Sequence, residues 1–166
     1  MTETNELLKT RQAVAILRIV LGVIILATWQ DNVRKGLYTA DGLTGFFNWL
    51  FDPDNGNGSR LTFYKALLEA TVLQLPGLFG TFQMLTEFLM GLGLLLGGLT
   101  RFFGLAAIFF FLNLFFSYFG GHEWIWTYVL LITSALVVTV TAAGRLWGID
   151  QYLLQKRGQP RLNILW

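Results

Sequence analysis

The stretch Phe82–Arg101 constrains the fold more than any other part of this chain. It reads FQMLTEFLMGLGLLLGGLTR, which is apolar and glycine-rich enough to cross a bilayer, yet it carries the carboxyl group of Glu87 close to its middle. An ionisable side chain at that depth in lipid costs roughly 3 kcal/mol or more unless it is paired. We therefore expect the other hydrophobic segments to pack around this helix and to supply partners for Glu87.

The composition also indicates lipid as the main solvent. Of the 166 residues, 54% are hydrophobic and 13% are charged, whereas a soluble domain has about 25% charged residues. The net charge of +2 is too small to indicate nucleic acid as a partner. Because the chain has no cysteine, it cannot form disulfides, thiolate metal sites or iron–sulfur ligation with its own side chains.

The hydropathy pattern predicts an all-α membrane protein with a single domain over residues 1–166. Its core is a bundle of four transmembrane helices, expected at about 13–29, 78–99, 102–119 and 124–143, since about 20 apolar residues cross the hydrocarbon core. The segment 30–77 forms a long first outer loop. Within it, two short apolar or amphipathic pieces at 42–51 and 61–75 are expected to be interfacial helices.

The positive residues that flank the predicted spans favour one orientation. Seven of them lie on the side of the two termini and four lie in the 30–77 segment, which predicts a multi-pass protein of the cytoplasmic membrane with both termini in the cytoplasm. Tryptophan and arginine side chains at span ends are expected to sit at the two interfaces. They are Trp29, Trp49, Trp124, Arg101 and Arg145.

A buried polar pocket is expected around Glu87. Glu87 lies about 18 Å from the end of its span that is on the same side as the two chain termini. Asn113 lies at nearly the same depth on the third span. Arg18 starts lower on the first span but has a long side chain, and Gln83 shares a helix face with Glu87. One hypothesis is an Arg18–Glu87 pair that lines a ligand-binding site or relays protons; the alternative is a structural ion pair that fixes helix register.

Other candidate residues have simpler interpretations. Five glycines of the first two spans are expected to permit close helix packing: Gly22, Gly91, Gly93, Gly97 and Gly98. His122 is the only histidine, so one chain cannot hold a haem between two histidines, and a solvated turn residue is the simpler interpretation. The metal-binding and nucleotide-binding motifs HExxH, the P-loop and a complete GxGxxG fingerprint are absent, so we predict no metal site.

The chain resembles the DoxX family, and within it the DoxD branch. The resemblance lies in LRIVLGVIIL, TEFLMGLGLLLGGLTRFFGLAA and AAGRLWGIDQYL. The family's E-x-x-x-G-x-x-L-L-x-G-x-x-T-R signature corresponds to a set of residues in the second span and its turn: Glu87, Gly91, Leu94, Leu95, Gly98 (or Gly97), Thr100 and Arg101. The family's early arginine corresponds to Arg18, and its closing G-R-x-x-x-x-D pattern to Gly144, Arg145 and Asp150.

The resemblance implies a small membrane subunit of a thiosulfate:quinone oxidoreductase. Such a subunit would anchor a partner protein, take part in quinone-linked electron transfer and bind no cofactor covalently. The pocket of Arg18, Gln83, Glu87 and Asn113 would then be the candidate site for the quinone headgroup. Two alternatives stay open: a structural accessory subunit of a larger respiratory or photosynthetic complex, and a small transporter. The transporter is the weakest, because four helices without broken half-helices offer little machinery for alternating access.

Overall fold

The computed structural model describes residues 2–52, 54 and 60–158 of the chain, and this part contains helices and no strand. The all-α prediction is therefore confirmed. The α-helices are α1 (Thr2–Arg34), α2 (Ala40–Leu50), α3 (Thr62–Ala70), α4 (Pro76–Leu96), α5 (Thr100–Ser117), α6 (Trp126–Val140) and α7 (Ile149–Arg157). Two short 3₁₀ turns, Val72–Gln74 and Ala143–Arg145, precede α4 and α7.

Three of these helices are long and apolar enough to cross a membrane: α1 from Thr4 onward, α4 and α5. The polar N-terminal tail and the first predicted span form one continuous helix of 33 residues, about 50 Å long at 1.5 Å per residue. This exceeds the roughly 30 Å hydrocarbon core, so α1 extends beyond it. Helix α6 is apolar but has only 15 residues, so the fourth crossing stays a prediction.

The turn between α4 and α5 lies earlier than expected. Helix α4 ends at Leu96 because Gly97 adopts a left-handed conformation with φ of +65°, which glycine accepts readily. Leu99 is also left-handed, with φ of +50°. Thr100 and Arg101, which were expected to form the turn, are instead the first two residues of α5.

Helices α1, α4, α5 and α6 share one buried core. Its most deeply buried side chains are Leu21 and Ile25 on α1, Met90 and Leu94 on α4, Ala107 and Phe111 on α5, and Ala135 and Val138 on α6. Helices α1 and α4 are antiparallel neighbours, and so are α5 and α6.

The 30–77 segment forms helices α2 and α3, as predicted, and they build a second core of their own. It contains Leu43, Phe47 and Leu50 from α2 and Tyr64 and Leu68 from α3, and Val72 adds to it. Helix α2 packs on α4, and α3 contacts α5. The location of both helices at a membrane interface stays a prediction.

Candidate functional site

Glu87 is buried and hydrogen-bonded on both carboxyl oxygens. It lies in the middle of α4 and is 1% exposed. The Tyr38 hydroxyl donates to its Oε2 at 2.6 Å, and the Gln83 amide donates to its Oε1 at 2.8 Å. The Asn32 amide lies 3.4 Å from both Oε2 and the Tyr38 hydroxyl oxygen. Neutral donors therefore satisfy the carboxyl group in the middle of this predicted span.

The expected Arg18–Glu87 pair is corrected by the structure. Arg18 is fully buried, but its Nη2 donates to the carbonyl oxygen of Trp147 at 3.0 Å. Its Nε and Nη1 have no hydrogen-bond partner within the described residues. The acidic group that acts on it electrostatically is Asp150. Arg18 and Glu87 therefore belong to two separate polar clusters.

The register of α1 against α4 explains the correction. A Cβ added at Gly22 would lie 2.9 Å from the carbonyl oxygen of Gly91 and 2.5 Å from the nitrogen of Leu95, so these backbones touch. Because the two helices are antiparallel, Arg18 lies one turn further along and reaches Gly97. Gly97 is about 15 Å from Glu87 along the helix. Counting depth from the predicted span ends could not reveal this offset.

The Arg18 cluster joins the C-terminal helix to the α4–α5 turn. Asp150, which is fully buried, accepts hydrogen bonds from the backbone N–H groups of Leu99 at 2.7 Å and Thr100 at 2.9 Å. Its own N–H donates to the carbonyl oxygen of Gly97 at 2.9 Å. The carboxylate thus caps the first turn of α5 and places a negative charge near the buried guanidinium.

A cavity of about 370 Å³ opens beside Glu87, between α4 and α5. This volume falls in the range of pockets that hold small organic ligands, about 300–1,000 Å³. Its polar lining residues are Gln83, Thr86, Glu87 and Asn113, and its aromatic ones are Phe79, Phe82, Phe109 and Phe110. Phe82 is 62% and Phe109 is 72% exposed, so the cavity opens sideways on the outer surface of the bundle.

Asn113 enters this cavity from α5 and is held by α3. Its side-chain oxygen accepts a short hydrogen bond from the Tyr64 hydroxyl, and its backbone carbonyl accepts one from Ser117 at 2.8 Å. Its amide nitrogen makes no hydrogen bond to the described residues, and the residue is exposed. Asn113 therefore lines the cavity with an amide N–H group that is available as a donor.

Tyr38 reaches Glu87 from the connection between α1 and α2. Gly36 reverses the chain with φ of +68°, and Gly80 on α4 leaves room for the Tyr38 carbonyl. Burial, together with the hydrogen bond to Glu87 and the charge of that group, raises the pKa of Tyr38 above its ordinary value. The phenol therefore stays protonated at neutral pH and acts as a donor.

The structure brings together three of the four predicted pocket residues, Gln83, Glu87 and Asn113, and places Arg18 elsewhere. Sequence reasoning missed Tyr38 and Asn32, the other partners of Glu87. Both belong to the predicted outer loop, where hydropathy gives no sign of burial. In the sequence, Asp150 stood out only because it matches the aspartate of the family's G-R-x-x-x-x-D pattern.

The remaining predicted residues occupy varied environments. Gly91 faces the side chains of Ile25 and Leu26, Gly93 faces the Phe103 ring, and Gly98 has Ile149 at ordinary contact distance. Trp29 is half-buried and packs on Phe88 at 4.9 Å between ring centroids. Trp49 and Trp124 are exposed, and Arg101 and Arg145 are half-buried beside the two terminal-side turns. Their interfacial roles stay predictions.

Comparison with known proteins identifies the family of this chain. No curated protein and no solved structure matches the chain. The family model DoxD, described as the TQO small subunit DoxD, matches residues 13–166. This match includes α1 from Ala13 onward, the Glu87 helix and the Asp150 helix. The chain therefore belongs to the DoxD family.

Proposed function

We propose that this chain is the membrane subunit of a thiosulfate:quinone oxidoreductase and that the cavity beside Glu87 binds the quinone headgroup. The observation that carries the proposal is a buried carboxyl group on the wall of a largely apolar cavity that opens on the outer surface of the bundle. A buried ionisable group in a membrane span is a functional candidate by default. Membership in the DoxD family supports the quinone as the ligand.

The lining of the cavity fits the two chemical parts of a quinone. The amide N–H groups of Asn113 and Gln83 are suited to donate hydrogen bonds to the headgroup carbonyls. Phe82 and Phe109, which are exposed at the cavity mouth, provide an apolar surface for the isoprenoid tail. Glu87 is then placed to give a proton to a quinone oxygen.

Electrons must reach this site from a partner subunit that oxidises the sulfur compound, because the chain has no cysteine for iron–sulfur ligation or sulfur transfer. We place the partner on the side of α2 and α3, which is the extracytoplasmic side if the termini are cytoplasmic. On that side Trp49, Phe63 and Leu67 are exposed. These side chains offer an apolar surface to the partner or to the membrane interface.

The proposal is tested by replacing Glu87 with its neutral isostere in the complex purified from native membranes through a tag on this chain. With thiosulfate as donor and decylubiquinone as acceptor, Glu87→Gln should lower the rate of quinone reduction on the order of a hundredfold, while the partner still copurifies. Glu69→Gln is the matched control, since Glu69 is exposed on α3. A wild-type rate in Glu87→Gln would contradict the proposal.

The second candidate is a structural accessory subunit of a larger membrane complex. The observation that favours it is the aromatic outer surface of α5 and its end, where Phe102, Phe109, Phe116 and Phe119 are exposed. Such a surface suits contact with another membrane subunit as well as with lipid. Under this alternative Phe102→Leu and Phe109→Leu would release the partner, and Glu87→Gln would leave electron transfer intact.

A further inference from the structure

We propose that Tyr38 and Glu87 form a proton pathway that connects the cavity only with the side of the membrane that carries α2 and α3. This inference rests on the proposed quinone site. It adds Tyr38 to that site and specifies the side of the membrane from which protons are taken up. Quinone reduction would then consume protons from the side where the partner sits.

The two oxygens of Glu87 have different surroundings. Oε1 accepts from Gln83, which lines the cavity. Oε2 accepts from Tyr38, which belongs to the connection between α1 and α2. A carboxyl group that takes a proton on the Tyr38 side and then rotates about its Cγ–Cδ bond can deliver that proton on the Gln83 side, which is the task of a proton carrier.

The polar chain continues from Glu87 toward the α2–α3 side. The amide nitrogen of Asn32 lies 3.4 Å from the hydroxyl oxygen of Tyr38. Asn32 is half-buried in the last turn of α1. Asp31 in that turn forms an exposed ion pair with Lys35, the residue that follows α1, so this end of α1 meets water. The Asn32 amide donates to the Tyr38 hydroxyl oxygen, which keeps a second lone pair for a water molecule that enters from this side.

The opposite direction is closed by apolar side chains. Met90 and Leu94 on α4 and Leu21 and Ile25 on α1 lie between Glu87 and the Arg18 cluster, and each is at most 2% exposed. Within the described residues the side-chain hydrogen bonds of Arg18 and those of Glu87 share no group. This part of the chain therefore offers protons from the side of the two termini no hydrogen-bonded route to the cavity.

The proton step balances with the electrons of the proposed reaction. Reduction of one quinone to quinol takes two electrons, which the partner draws from the sulfur compound, and two protons. Glu87 gives one proton to a quinone oxygen. It is reprotonated by Tyr38, whose hydroxyl takes a proton from water on the α2–α3 side in the same transfer. A second cycle supplies the second proton.

The test uses the whole complex in liposomes and the variant Tyr38→Phe, which keeps the ring and removes the hydroxyl. We expect kcat for decylubiquinone reduction to fall on the order of a hundredfold, with KM for decylubiquinone within twofold of wild type and a larger solvent isotope effect. Tyr152→Phe is the matched control, since Tyr152 is 56% exposed on α7. A purely structural role for Tyr38 would not raise the isotope effect.

The direction is tested with membrane-impermeant pH dyes on either side of the liposome. The orientation of the chain is read from labelling of Gln155→Cys, which is exposed on α7. We expect one proton per electron to disappear from the α2–α3 side. Uptake from the terminal side, or a wild-type kcat in Tyr38→Phe, would overturn the pathway while leaving the quinone site standing. Failure of the wild-type complex to reduce decylubiquinone would overturn both.

Discussion

At the scale of single residues, Glu87 and Arg18 illustrate two ways to keep an ionisable group inside a membrane protein. Glu87 is surrounded by neutral donors, so its charge state can change without breaking an ion pair. Arg18 is packed against the backbone of glycines beside Asp150, which leaves no space for a ligand. The first arrangement suits chemistry and the second suits structure.

Gly97 should tolerate no side chain. A Cβ at this position would overlap the Arg18 guanidinium, and its φ of +65° is unfavourable for other residues. Gly97→Ala should therefore lower the free energy of unfolding by roughly 3 kcal/mol or more. Denaturant unfolding in mild detergent measures this change.

Gly45 provides the control for Gly97, because it lies in α2 with no atom within 4 Å of an added Cβ. Gly45→Ala should stabilise the chain by up to about 1 kcal/mol. Equal changes in the free energy of unfolding would show that Gly97 is not packed against Arg18.

Tyr118 should make the fold sensitive to alkali. Burial, and to a lesser degree the negative charge of Glu123, raise the pKa of Tyr118 to about 12, above the roughly 10 of an unfolded tyrosine. The unfolded chain therefore loses this proton first, so stability falls as the pH rises from about 10 toward 12. Melting temperatures at pH 9 and pH 11 should differ less in Tyr118→Phe than in wild type.

At the scale of helices, α7 is held to the bundle by the Asp150 carboxylate. Asp150→Asn should lower the free energy of unfolding by roughly 3–5 kcal/mol, because Arg18 would keep a buried charge without its counter-ion. Adding Arg18→Met should recover part of that loss. A double-mutant cycle of unfolding free energies measures the coupling, and additive losses would disprove it.

Asp31→Asn is the matched control for Asp150→Asn. Asp31 pairs with Lys35 at 2.6 Å, but both side chains are more than half exposed. Since exposed ion pairs contribute little to stability, this substitution should change the free energy of unfolding by less than about 1 kcal/mol.

Helix positions could be predicted from the sequence, because apolar stretches of about 20 residues leave few alternatives. Three spans and both short loop helices occur where hydropathy placed them. The boundary between α4 and α5 differs from the predicted one because two residues are left-handed: Gly97, which ends α4, and Leu99, which precedes α5. The register of α1 against α4 depends on which glycines meet in three dimensions. Depth counted along single helices places Gln83, Glu87 and Asn113 at one level, and they line one cavity. It does not give the register between helices, so Arg18 was assigned to Glu87, whereas it lies beside Gly97 and Trp147.

At the scale of the whole molecule, the main architectural prediction is the side of the membrane on which each connection between helices lies. The chain has no cysteine, so single cysteines give an unambiguous signal. Lys9→Cys and Gln155→Cys should react with an impermeant maleimide from one side of the membrane, and Ala66→Cys and His122→Cys from the other. If His122→Cys and Gln155→Cys react from the same side, then α6 does not cross and the four-helix topology is wrong.

The most direct measurement of the central claim is to map where a photoreactive quinone attaches to the full-length chain. The account predicts cross-links to α4 and α5 at the cavity mouth, near Phe82 and Phe109. Excess decylubiquinone should suppress them, as should a Gln83→Leu substitution within the cavity. Cross-links confined to α2, α3 or α7, or labelling that excess decylubiquinone leaves unchanged, would contradict the assignment of the cavity beside Glu87 as the quinone site.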